Sequence, residues 1–312
     1  MKDTLSSTEG GRSALRLERR IARPPEEVWR ALTEPALMAR WFPAEVRLDA
    51  RVGGRMDFVF PGQDVPDTQG AVTELDPPRV FTFTWGADQL RWELRPEDDG
   101  CALTLTHTFR DRFGAASFAS GWHTCVFALA TLVEGAEPGG PAGTADTADE
   151  AGPAGPADMA APADMAELHE RYVEAFGLAE GVVEAAEDGW RLRFERQLVR
   201  PVETVWQALT GPAGTGEPVV GGPVPIGFRT DAVPPGPVAD VAPPRELSYD
   251  WLRGGRPAGR VRWRLTDGTG HGARLILTQT GPPDAGEERE AALAAWRKHI
   301  ALLAAKLLYA RG

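Results

Sequence analysis

The chain carries only two cysteines in 312 residues. Cys101 and Cys125 form no CxxC pair, so a disulfide framework or a zinc site is not expected. Basic residues are also in deficit: 34 Lys and Arg stand against 45 Asp and Glu, a formal net charge of -11. Nucleic acid and anionic membrane surfaces both attract basic faces, so neither is expected as a partner. No stretch approaches the ~18 consecutive apolar residues of a membrane span. The opening MKDTLSSTEGGRSA lacks the apolar segment of a signal peptide. The expected setting is reducing and cytoplasmic. GxSxG, HExxH, the P-loop and a helix-opening GxGxxG are all missing. What is present is ordinary for a folded chain, with 42% hydrophobic and 25% charged residues.

The chain says nearly the same thing twice. Arg16 to Thr33 reads RLERRIARPPEEVWRALT, and Arg193 to Thr210 reads RFERQLVRPVETVWQALT. The copies continue in step. Val72 to Trp85 matches Val238 to Trp251, each with Pro-Pro-Arg and a closing Trp; Trp92 falls opposite Trp263, and Leu103 to Thr108 opposite Leu275 to Thr280. Each half ends in a helical segment centred on Trp122 or Trp296. The spacing is a domain length, far beyond the ~20–50 residues of solenoid repeats. The expected organisation is a first domain over 12–135, a disordered Ala/Gly/Pro linker over 136–165, a helix over 166–179 packing back on the first domain, and a divergent second domain over 188–311.

Within each copy the pattern reads strand, two helices, several strands, long helix. Pro24 and Pro25 end the first strand and open a helix whose first turn holds Glu26 and Glu27. Turn signals at Gly53-Gly54, Pro61-Gly62, Pro77-Pro78 and Asp98 to Gly100 punctuate alternating apolar runs, which predicts an antiparallel meander. With its residues Arg23-Pro24-Pro25-Glu26-Glu27-Val28-Trp29, Arg40-Trp41-Phe42, Gly53-Gly54, Pro77-Pro78-Arg79 and Gly121-Trp122, this order resembles the START/Bet v1-like (SRPBCC) superfamily. Within it, the chain is most similar to the Aha1-type branch, related to the C-terminal domain of the activator of the Hsp90 ATPase. The resemblance covers roughly 12–178 and, more weakly, 188–311. It implies an α+β fold of two helix-grip domains, each a curved antiparallel sheet wrapped around a long C-terminal helix. It also implies a cavity between sheet and helix. The second copy departs after Thr210: the second short helix and the Trp41-Phe42 pair have no counterpart, and Pro and Gly crowd its early strands, so either a degraded hairpin or a wider, less ordered pocket mouth is expected.

The strand period of two sorts side chains against that cavity. Leu103, Leu105, His107 and Phe109 share one face, and Thr104, Thr106 and Thr108 the other. Leu and Phe belong inward, so His107 points inward; Gln279 takes its place in the second copy. A polar group on an apolar face orients a ligand in a mostly apolar pocket. The plainer reading is a buried polar side chain satisfied by its neighbours. The expected pocket lining is Phe58, Phe60, Trp85, Trp92, Leu94, Leu105, His107, Phe118, Trp122 and Val126, with Gln279 and Trp296 in the second copy. For the tryptophans, core packing is the competing reading. No catalytic residue, metal ligand or cofactor is expected. The leading expectation is non-catalytic binding of a small hydrophobic molecule, mainly in the first domain. A chaperone- or ATPase-interacting module is the second. An enzyme of the cyclase/aromatase or hydrolase sort is the third, and it needs an inward acid/base pair of which only His107 is legible.

Overall fold

The computed structural model describes residues 3–60, 67–135, 162–211, 217–270 and 272–309. The chain divides into two compact units, Met1–Met165 and Ala166–Gly312. Most of the expected linker lies outside the described residues.

The first unit runs β1 (Thr4–Ser7), β2 (Ser13–Ile21), α1 (Pro25–Thr33), α2 (Pro35–Met38), β3 (Glu45–Leu48), β4 (Arg55–Val59), β5 (Thr68–Asp76), β6 (Val80–Trp85), β7 (Asp88–Glu97), β8 (Gly100–Phe109) and α3 (Ala115–Glu134). Its strands form an 8-stranded antiparallel sheet in the order β1-β2-β8-β7-β6-β5-β4-β3. β2 and β7 flank β8 in register, with His107 opposite both Leu15 and Leu90, and Leu105 opposite both Leu17 and Trp92. All of these side chains are buried, so the alternation read from sequence defines the inner face. β1 extends the first domain to the N-terminal side of residue 12.

α3 lies against that inner face. By length and composition alone it would pass for a membrane span. Here its stripe of Trp122, Val126 and Leu129 is buried among the sheet residues. Ala115, Ala116 and Ala119 are fully buried, and their small side chains allow the helix a close approach. The repeated Arg-Pro motif has a specific job at the far end. Arg23 donates to the carbonyls of Val133 and Glu134, each at 3.0 Å. Arg200 does the same in the second unit, to Leu307 at 3.0 Å and Leu308 at 3.1 Å. Each guanidinium thereby satisfies orphan carbonyls at the negative end of the long helix.

The second unit begins with α4 (Pro162–Ala175), which straddles the division between the units, and continues with β9 (Val182–Ala186), β10 (Gly189–Gln197), α5 (Val202–Thr210), β11 (Pro235–Ala242), β12 (Glu246–Arg253), β13 (Arg256–Asp267), β14 (Ala273–Gly281) and α6 (Gly286–Leu308). Its 6-stranded sheet has the order β11-β12-β13-β14-β10-β9. Two expectations are corrected. The helix starts at Pro162, inside the expected linker. Its residues from Ala166 onward belong to the second unit, not to the first: Glu170 forms an ion pair with the buried Arg196 of β10.

A counterpart of Trp41-Phe42 also exists. Trp41 packs edge-on against Trp92, with centroids 5.5 Å apart and planes at 80°. In the second unit a 3₁₀ turn, Ile226–Phe228, sets Phe228 against Trp263 at 5.6 Å and 85°. The Phe228 carbonyl accepts from Tyr249 Oη at 2.9 Å and Trp263 Nε1 at 3.1 Å. The Pro/Gly-rich segment therefore closes this end of the second sheet rather than opening it.

One cross-strand pair has exchanged its bulk. Ser13 faces Phe109 in the first unit; the corresponding pair in the second is Trp190 and Gly281. A Cβ on Gly281 would lie 2.2 Å from the Trp190 ring. The large ring has moved from β8 to the strand beside it, and both residues must change together. Gly281→Ala is therefore expected to cost the second unit about 1–3 kcal/mol. In a chain that also carries Trp190→Ser, the Gly281→Ala step is expected to cost much less. Urea denaturation of the single and double variants checks this, and additive costs would contradict it.

Candidate functional site

A cavity of about 330 Å³ opens between the sheet and α3 of the first unit. α3 contributes Ser117, Phe118, Gly121, Trp122 and Cys125. The sheet contributes Thr68, Trp85, Asp88 and His107, with Gly86 and Pro43 at the edge. The β6–β7 hairpin turn puts Gly86 at φ 56, the left-handed region that glycine takes without strain. That tight turn brings Asp88 directly opposite Trp85.

His107 is 3% exposed and makes two polar contacts. Trp122 Nε1 donates to its Nδ1 at 3.1 Å, and its Nε2 lies 3.1 Å from Asp88 Oδ2. An indole nitrogen can only donate. Nδ1 must therefore be the acceptor, and the ring hydrogen sits on Nε2 and is donated to Asp88. This chain of hydrogen bonds runs from helix to strand to hairpin. It leaves neither ring nitrogen free to take a proton from a ligand, so His107 positions its neighbours rather than serving as a free base. Asp88 also lies 3.5 Å from the Arg12 guanidinium through its other oxygen. Burial pushes the Cys125 thiol up to about 12, so it lines the cavity as a neutral, weakly polar group and not as a thiolate nucleophile.

Of the residues expected to line a pocket, Trp85, His107, Phe118 and Trp122 do so. Phe58, Trp92, Leu94, Leu105 and Val126 are instead buried core. Phe58 supports the wall from behind, stacked on Trp85 at 4.9 Å; Phe60 stacks on Trp85 at 6.1 Å and is half-buried. In the second unit, Trp296 Nε1 donates to Gln279 Oε1 at 2.6 Å, the same helix-to-strand bond with a different acceptor. Trp251, the counterpart of Trp85, is 2% exposed there and donates to the Thr280 carbonyl, with Trp190 packed beside it. Asp88 was missed, although the signal was available: it shares strand parity with Leu90, Trp92 and Leu94, the inward set.

A second cleft, of about 540 Å³, lies in the second unit beside α4 and α6. Glu167, Glu170, Glu174 and Glu180 are among its lining residues. Two of these glutamates are ion-paired, Glu170 with Arg196 and Glu180 with Arg297. It is outside the sheet–helix interior, and the smaller apolar cavity is the better ligand site.

The His107 geometry carries a prediction. His107→Gln keeps an acceptor for Trp122, as Gln279 does for Trp296, and is expected to cost less than about 1 kcal/mol. His107→Leu strands a buried indole N–H and is expected to cost about 1–3 kcal/mol. Equal losses in urea denaturation would contradict the acceptor role.

The family described as Activator of Hsp90 ATPase homolog 1-like protein has a model that matches residues 22–134 and again 200–307. Among solved structures, CalU16 from Micromonospora echinospora is 26% identical in its solution structure, over 56% of this chain and 92% of that one, with a TM-score of 0.42. A protein from Chromobacterium violaceum is 30% identical over 39% of this chain and 97% of its own, with a TM-score of 0.34. The AHSA1-like protein from Aeromonas hydrophila is 22% identical over 42% of this chain and 99% of its own, with a TM-score of 0.36. No curated protein gives a significant match. Matched in both halves, with α1 and α3 inside the first segment and α5 and most of α6 inside the second, this chain belongs to the Activator of Hsp90 ATPase homolog 1-like family and carries two copies of its domain.

Proposed function

We propose that the first unit binds a small hydrophobic molecule in the cavity between its sheet and α3, without turning it over. The observation that carries this reading is the open space opposite Gly121. Gly121 lines the cavity from the middle of a long helix, and a Cβ built there would meet nothing within 4 Å. Glycine inside a helix costs roughly 1 kcal/mol relative to alanine. Here it leaves room beside the rings of Trp85, Phe118 and Trp122, which supply apolar contact area for an occupant. The volume is near the lower end of the ~300–1,000 Å³ range of ligand pockets. That suits a compact molecule of one or two rings better than a long acyl chain. Since both nitrogens of His107 are already engaged, no catalytic step is assigned to it.

The family's description names an activator of an ATPase chaperone. A chaperone partner is a separate proposal, supported only by that membership. An ATPase assay with an Hsp90-type chaperone decides it without reference to the cavity.

The binding proposal is tested by filling the cavity. Calorimetric titration of the full chain with 2-naphthylmethanol is expected to saturate. Gly121→Leu is expected to abolish that binding while leaving thermal stability unchanged or raised, because the side chain grows into empty space. Undiminished binding by Gly121→Leu would place the ligand elsewhere.

A further inference from the structure

We infer that the cavity of the first unit selects apolar molecules that carry a hydrogen-bond donor, best a protonated amine, and that Asp88 is the residue that sets this preference. The inference rests on the reading of the cavity as a ligand site and adds the chemistry of the ligand's polar end.

The argument starts from hydrogen bookkeeping. The Trp122 indole hydrogen goes to His107 Nδ1, and the His107 ring hydrogen goes to Asp88 Oδ2. The Trp122 and His107 ring hydrogens are thus spent inside the protein, and the hydroxyls of Thr68 and Ser117 are the neutral groups beside them in the lining. The group at the end of this chain is a carboxylate, which accepts only and has lone pairs beyond the one that His107 occupies. Among the described residues, Asp88 is also the only formally charged one lining the cavity, and its side chain retains 27% exposure. Arg12, the cation paired with Asp88, is not a lining residue. Its guanidinium is directed to the carbonyls of Ala87 and Thr108 as well as lying 3.5 Å from Asp88 Oδ1. The Trp85 indole hydrogen is likewise used, donated to Thr68 Oγ1 at 2.6 Å.

Among the described lining residues, one carboxylate stands with three aromatic rings, whose faces carry negative charge density, and with the neutral side chains of Thr68, Ser117, His107 and Cys125. A cation beside Trp, Tyr or Phe gains an attraction of its own. An ammonium on an apolar frame satisfies both features at once. A hydroxyl satisfies the carboxylate alone. A ligand carboxylate faces like charge with no cation among the described lining residues to offset it, which weakens its binding.

The test uses the full chain and one apolar frame with three polar ends: 2-naphthylmethylamine, 2-naphthylmethanol and 2-naphthoate, each titrated by calorimetry at pH 7. The expected order is amine, then alcohol, then carboxylate, with at least about tenfold between the first and last. In Asp88→Asn, whose Oδ1 still accepts from His107, the amine is expected to fall to within about threefold of the alcohol, while the alcohol still binds. Equal affinities for all three in the unsubstituted chain, or tightest binding of the naphthoate, overturn the selectivity and leave the pocket standing. An amine preference that survives Asp88→Asn removes Asp88 from the role. Failure of all three probes to saturate overturns the pocket reading and this inference together.

Discussion

A buried indole N–H on the long helix must find an acceptor on the sheet, and both units are organised around that requirement. Trp122 and Trp296 sit at the centres of α3 and α6, where water is excluded and an unpaired donor costs about 1–3 kcal/mol. Each finds its acceptor on the same central strand position, His107 or Gln279. The bond fixes how the helix is rotated on the sheet. It thereby fixes which helix residues face the interior. At the other end of each helix an arginine, Arg23 or Arg200, holds the last carbonyls to the turn after the first long strand. These two anchors explain why the Arg-Pro opening and the paired tryptophans appear in both copies.

The acceptor chosen then decides what else the site does. Histidine has a second nitrogen, and with Nδ1 taken by Trp122, its Nε2 hydrogen reaches Asp88. Gln279 has only its amide to offer, and the position corresponding to Asp88 is occupied by Gly259, which approaches the Thr280 carbonyl and the Trp251 ring. Beside it, Trp190 packs against Trp251, with ring centroids 6.2 Å apart. One copy has an interior space with a charged edge; in the other, Trp190 and Trp251 are buried together on the same frame. Duplication with this kind of divergence separates the architectural residues from those at the cavity.

The architecture was legible because it rests on local patterns. Period-two alternation put Leu103, Leu105, His107 and Phe109 on one face, and that face is the inner one. Pro24-Pro25 ended a strand and opened a helix as their chemistry requires. The site was legible only in part. Inner-face parity cannot distinguish a residue that lines a cavity from one that fills the core, so Trp85 and Trp92 looked alike, although only Trp85 borders the space. Phe228 was hidden because a 3₁₀ turn replaces a helix and leaves no periodicity. The assignment of α4 failed for a different reason: an amphipathic stripe shows that a helix packs, not where. Its partner Arg196 is buried against Glu170.

The central claim is that the apolar cavity of the first unit, beside Trp85 and Trp122, admits a ligand, whereas in the second unit Trp251 is buried beside Trp190. The most direct measurement is the indole N–H region of a proton–nitrogen correlation spectrum of the full chain, recorded while a naphthyl probe is added. The account predicts saturable shifts of the Trp85 and Trp122 signals, with Trp251 and Trp296 unmoved. Equal movement of the signals from both units, or a spectrum that does not change at all, would contradict it.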